Sequence, residues 1–243
     1  MTRRGLLLPS AFVLGALAVL LALGTWQIER KNWKEALIAA MDQRLAAEPA
    51  ELPAPQAWLG LTQDGAEFRR VRVRVDFGGG DALVYTSGSP LRDDVKAPGY
   101  FVFSAGRLPG GERIVVNRGY VRDKTYPVQS GVQEIIGYLR WPEASPLFVT
   151  DYDASAGVFY VRDHRLMARQ RGWGDVAPFY IEQEAPVPPG GVPHPANLRV
   201  NLPNNHLQYA ITWYALALAL IVIYILYHRA PAAAPAPANR RQG

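Results

Sequence analysis

The stretch Phe68–Phe77, "FRRVRVRVDF", alternates without a break: Val71, Val73, Val75 and Phe77 fall on one face, Arg70, Arg72 and Arg74 on the other. A period of two marks a half-buried strand. The three arginines read as a solvated strand face before they read as an anion-binding stripe. Outward from this strand the pattern repeats in short runs: "ALVYTS" (82–87), "GYFVFSA" (99–105), "RIVVNRGYV" (113–121), "QEIIGYLR" (133–140), "VFYVRD" (158–163) and "PFYIEQ" (178–183). The connections "GGGD" (78–81), "LPGGE" (108–112) and "WPEASP" (141–146) have turn composition. One short helix is expected over "HRLMARQRG", capped by Asp163. Consecutive strands with tight links predict a mainly antiparallel β-sheet or barrel-like domain rather than a doubly wound α/β fold.

Further out the pattern changes to membrane spans. Leu6–Leu23 is an uncharged run of 18 residues and Tyr209–Tyr227 one of 19 with aromatic ends; each is long enough for a bilayer. Arg3, Arg4 and the small-residue site Ala22-Leu23-Gly24 also suit a signal peptide, but the apolar run exceeds the usual h-region of about 7–15 residues and favours a retained anchor. The first span is expected to continue into a helix, "WQIERKNWKEALIAAMDQRLAAE", with Trp26, Trp33, Leu37, Met41 and Leu45 on one side, broken by "PAELPAPQAW". The fold class is therefore membrane-anchored α+β, two transmembrane helices flanking the β-domain. The expected boundaries are 5–25 for the first helix, 26–203 for the extracytoplasmic domain, 204–228 for the second helix and 229–243 for a disordered Pro/Ala-rich tail. Arg229, Arg240 and Arg241 follow the second span and only Arg199 closely precedes it. Positive residues stay inside, so both termini are expected in the cytoplasm and, in a bacterium, the central domain in the periplasm.

Composition closes several routes to function. The chain of 243 residues has no cysteine, which removes disulfides, zinc–thiolate sites and thiol catalysis. The net charge of +5 comes from scattered residues, without the basic-aromatic clusters of a nucleic-acid surface. His164, His194, His206 and His228 form no metalloprotease spacing, and no nucleophile elbow or phosphate loop is present. "DYD" (Asp151, Asp153) reads as turn chemistry. No constellation supports an enzyme.

What remains is a polar preface to the second span. In "NNHLQYAITWY", Asn204 follows Pro203 as a candidate helix cap, and His206 shares a helix side with Tyr209, Ala210 and Trp213. At the same membrane level the first helix carries Trp26, Gln27, Arg30, Lys31 and Lys34. An imidazole, flat aromatics and cations suit a haem, with His206 as axial ligand to the iron and cations for the propionates. The plainer alternative is that His206 bonds headgroups or the domain while the cations snorkel.

The motifs "LGTWQIERKNWK", "FRRVRVRVDF", "IVVNRGYV", "GYLRWPE", "FYVRD" and "PNNHLQYAITWYALA", in this order from Leu23 to Ala217, resemble the Surfeit locus protein 1 family of cytochrome c oxidase assembly factors. Tyr120 stands where the family commonly has Trp, and Phe68 where it usually has Tyr. The resemblance implies a non-enzymatic protein of the cell inner membrane that binds haem a and aids its insertion into oxidase subunit I. Haem a synthase is a further implied partner and membrane lipid the surrounding one. Binding would centre on His206, with Trp213 and Tyr209 on the macrocycle and Arg30, Lys31 or Lys34 on the propionates. A cofactor-free scaffold that stabilises a subunit I intermediate is the alternative.

Overall fold

The computed structural model describes residues 4–89, 92, 94–145, 150–198 and 204–229. Arg199, Pro203, Pro146 of the expected third turn and the expected tail after Arg229 lie outside them. Those within Met1–Leu37 and Pro203–Gly243 form one compact unit, and those within Ile38–Leu202 form the other.

The chain starts with a single helix, α1 (Arg4–Ala46), which runs through the first apolar span into the charged segment as expected. The expected one-sided stripe on its later turns is not formed. Trp26, Trp33 and Leu37 are exposed, whereas Met41 and Leu45 pack against Phe68, Tyr138, Ala196 and Leu198. Steps of four residues drift by about 40° each around a 3.6-residue helix, so Leu45 lies on a different side from Trp33.

After the break come β1 (Ala50–Glu51), a 3₁₀ turn at Pro55–Gly60 and α2 (Gln63–Ala66). Then follow β2 (Arg70–Thr86), β3 (Gly99–Arg107), β4 (Arg113–Val121) and β5 (Gly131–Arg140). Two short strands, β6 (Tyr152–Asp153) and β7 (Val158–Phe159), precede α3 (His164–Arg171) and β8 (Tyr180–Ala185). The last element is α4 (His206–Arg229). The expected strand at 158–163 is thus reduced to two residues. Asp163 caps α3 as expected, accepting from the Arg165 and Leu166 amides, and Gly172 ends it in the left-handed region.

Strands β2, β3, β4, β8 and β5 pair in a closed ring, antiparallel except for β4 with β8. Closure leaves the ring no open edge along these strands. It depends on the stretch expected to be a turn. "GGGD" does not turn; β2 runs through it for 17 residues. Arg70–Phe77 pairs with β5, Asp81–Thr86 pairs with β3, and the register slips between Phe77 and Asp81. Gly80 has φ +83, a conformation that a side chain resists, so the glycines bend one strand between two partners.

The alternation in β2 is realised as expected, with Val71, Val73, Val75 and Phe77 buried and Arg72 and Arg74 exposed. The four buried residues meet Ile114, Val116, Ile135, Leu139, Phe179 and Ile181 in one core. Val115, on the opposite face of β4, joins a second core with Ala82, Val84, Phe103, Tyr180 and Met167 of α3. Burial on both faces explains why β4 reads as nearly continuous apolar sequence.

Charge is also carried inside. The Arg140 Nη1 atom lies 3.2 Å from Glu182 Oε2 and its Nε 3.2 Å from Glu67 Oε1, with Arg140 and Glu182 both buried. Arg118 donates to the oxygens of Gln183, Gln129 and Gln133, each at 2.8 Å, and stacks 4.0 Å over Phe77. Burial lowers the Arg118 pKa, and three neutral amide oxygens with a ring face hold the charge in place. Arg118 and Gly119 both lie within β4, the strand expected over 113–121. Gly119 has φ +129, and a Cβ there would stand 2.1 Å from the His194 carbonyl oxygen.

Candidate functional site

The site is built within the unit formed by α1 and α4. In a bilayer, close helix association needs small residues at the seam, since lipid is as apolar as leucine. Ala210 and Ala217, seven positions apart on α4, are 1% and 3% exposed. On α1, Gly24 does the same work: a Cβ there would lie 2.8 Å from carbons of the Tyr214 ring. The neighbouring Thr25 hydroxyl meets the Tyr214 hydroxyl at 3.1 Å, and Ser10 hydrogen-bonds the Tyr224 hydroxyl towards the other end. Thr25 and Thr212 also donate to carbonyls one turn back, at Leu21 and Gln208, which satisfies their hydroxyls within their own helices.

One turn beyond Gly24, Gln27 faces the first residue of α4. The His206 Nδ1 atom lies 2.7 Å from Gln27 Oε1. An amide oxygen only accepts, so Nδ1 donates, and in the neutral ring this selects the tautomer whose lone pair is on Nε2. This is the arrangement found around metal-ligating histidines, in which a hydrogen bond to one nitrogen fixes tautomer and ring orientation and raises the basicity of the other. The helix start differs from expectation. Asn204 does not cap it; its Oδ1 is buried without a hydrogen-bond partner, and α4 begins at His206, with the Asn205 carbonyl accepting from Tyr209. The two asparagines precede the helix by one residue more than a cap at Asn204 would require.

Of the other predicted site residues, Trp213 is half-buried and lines an apolar groove of about 810 Å³ between the two helices, together with Leu23 of α1. Tyr209 remains 55% exposed and Trp26 53% exposed. The cations Arg30, Lys31 and Lys34 follow Gln27 at three, four and seven positions, on its side of the helix. Arg30 stacks 3.9 Å over Trp33, and Lys31 pairs with Glu35 at 2.8 Å. Sequence reading missed Tyr214, Gly24 and the groove itself. Only the flat side of Gly24, one turn before Gln27, signalled a close approach.

Among the described residues no group of three His, Asp or Glu side chains is placed to hold a metal. Asp153 accepts from the Ser155 amide and hydroxyl and the Ala156 amide, the turn role expected of it. His164 is fully buried, with Nε2 donating to the Ala177 carbonyl at 2.9 Å, and burial pushes its pKa down to about 4.

The family model described as SURF1 family matches residues 14–218. Surfeit locus protein 1 of Rattus norvegicus is 32% identical over 226 residues, covering 86% of this chain and 72% of the relative. The Homo sapiens protein of the same name is 33% identical over 216 residues, covering 81% and 70%. That of Takifugu rubripes is 30% identical over 233 residues, covering 86% and 92%. The match spans most of the first apolar run, the closed barrel, the Gln27–His206 pair and the first half of α4, and the chain belongs to the SURF1 family.

Proposed function

We propose that this protein is an assembly factor for haem–copper cytochrome c oxidase that holds haem a through His206 and aids its transfer to subunit I, working beside haem a synthase in the cell inner membrane. Both termini would be cytoplasmic and the barrel periplasmic, which the positive residues after α4 support. The role is that of a carrier rather than a catalyst.

The observation that carries this reading is the hydrogen bond from His206 Nδ1 to Gln27 Oε1, because in the neutral ring it makes Nε2 the oriented lone-pair donor for iron. The donor set fits a haem. His206 Nε2 would ligate the metal, Trp213 would pack against the macrocycle, and Arg30, Lys31 and Lys34 on the side of Gln27 would meet the propionates. When bound, haem supplies the iron that the imidazole ligates and the two carboxylates that the cations recognise. The chain's own contribution is orientation: Gln27 holds the ring, the Gly24–Tyr214 contact holds the helices, and the Arg30–Trp33 stack limits where the guanidinium can point. Lys31 already pairs with Glu35, so it adds less net charge to the site than Arg30 does.

The test is the visible spectrum of the protein purified in detergent from cells that make haem a, with and without His206→Ala. A haem spectrum that the substitution abolishes or strongly alters is expected. No haem absorbance in the unmodified protein would leave the cofactor-free scaffold as the better account. A spectrum unchanged by His206→Ala would remove His206 as ligand.

A further inference from the structure

The groove between α1 and α4 has no role yet. It is lined by Ala16, Val19 and Leu23 on one helix and by Trp213, Leu216 and Leu220 on the other, among similar neighbours. Apart from the Trp213 indole N–H, the lining offers only hydrocarbon, so its occupant must be hydrocarbon too. It holds about 810 Å³ and is open along its side. Along α1 it runs from Leu23 to Ala11, a rise of about 18 Å at 1.5 Å per residue.

One end of this groove lies next to the candidate haem site. Leu23 precedes Gln27 by one turn, and Trp213 follows His206 by two, each on the side of its helix that faces the partner. Polarity therefore changes along one seam: cations beyond Gln27, then the imidazole, then hydrocarbon. Haem a has the same order across its ring, with propionates at one edge and a long isoprenoid tail towards the opposite one. A ring ligated at His206 would stand at this end of the groove, and a chain attached to that ring would be the one to enter it.

We infer that the α1–α4 groove binds the farnesyl tail of haem a and selects tailed haems over haem b. This rests on the proposed haem site at His206. It assigns the groove residues a role in specificity, separate from iron ligation.

Gly15 makes the test clean. It lines the groove, and a Cβ added there meets nothing within 4 Å, so a larger side chain fills the groove without disturbing the helix contact. The full chain and its Gly15→Leu variant would be placed in nanodiscs of one phosphatidylcholine. Each would be titrated, by absorbance at the Soret band, with haem b and with haem o, which has the tail but not the formyl group. The unmodified protein should bind haem o about ten-fold more tightly than haem b, a ratio that packing of an apolar chain can supply. In Gly15→Leu, haem o affinity should fall about ten-fold while haem b binding stays unchanged, which also reports that the helix pair is intact. Equal affinity for the two haems, or a preference for haem o that survives Gly15→Leu, overturns the inference and gives the groove to lipid or a partner helix. Failure to bind either haem overturns the haem reading as well.

Discussion

Gln27 Oε1 and His206 Nδ1, separated by 179 positions in the chain, lie 2.7 Å apart where α4 begins. The pair converts an exposed-looking histidine in the sequence into an oriented one. If it tunes a ligand, removing the acceptor should matter more for metal than for folding. Gln27→Leu is expected to weaken haem binding about 10–100-fold, the usual scale for losing a metal ligand's hydrogen-bond partner. Gln27→Glu keeps an acceptor and should recover most of it. Haem titration and the reduction potential of the bound haem check this; equal behaviour of Leu and Glu variants would mean the contact only packs.

His164 sets a pH limit on the β-domain. Its folded pKa of about 4 lies below the ordinary histidine value, because burial disfavours the imidazolium and Nδ1 has no partner to support it. The unfolded chain therefore takes up a proton that the folded chain resists. Stability should be full above about pH 6.5 and be lost as pH falls towards 4, by about 3 kcal/mol from this group. Thermal unfolding of the full chain in detergent, followed by circular dichroism between these values, should show a shallower slope for His164→Gln.

Gly119 should tolerate no side chain. The Tyr120 and His194 backbones exchange hydrogen bonds of 2.8 Å in each direction beside it, and its φ of +129 already excludes an ordinary residue. Gly119→Ala is expected to cost about 3 kcal/mol or more, through backbone strain and displacement of the bridge. Protease resistance and unfolding temperature would read it, with Gly111→Ala, a positive-φ turn glycine with nothing within 4 Å, as the milder comparison.

The Arg140–Glu182 pair should behave as buried charge rather than as a source of stability. Arg140→Met leaves Glu182, 1% exposed, without its cation, and should cost about 3–5 kcal/mol. Arg140→Met combined with Glu182→Gln should recover much of that loss. The two single substitutions and the double one, compared by unfolding temperature, give the coupling directly.

The parts of the fold readable in sequence are those that depend on local pattern. The valines of "RVRVRV" alternate because one face of a strand meets a core, and Asp163 before "HRLM" caps a helix because its carboxylate reaches two free amides. "GGGD" misled because glycines serve bends and turns alike, and which one forms depends on whether a second strand is waiting to pair. The stripe from Trp26 to Leu45 misled because apolar residues at four-residue steps wind slowly around the helix.

The sequence by itself determined the two apolar helices, the β-domain between them, the absence of thiol chemistry and His206 as the residue to examine, since hydropathy, period and composition are properties of neighbours along the chain. Only the tertiary structure decided that β2 bends to close a barrel, that Gln27 holds the His206 ring, and that an apolar groove opens below them. Each of these joins residues far apart in sequence through distances of a few ångströms, and no local pattern encodes which distant partner a side chain will meet.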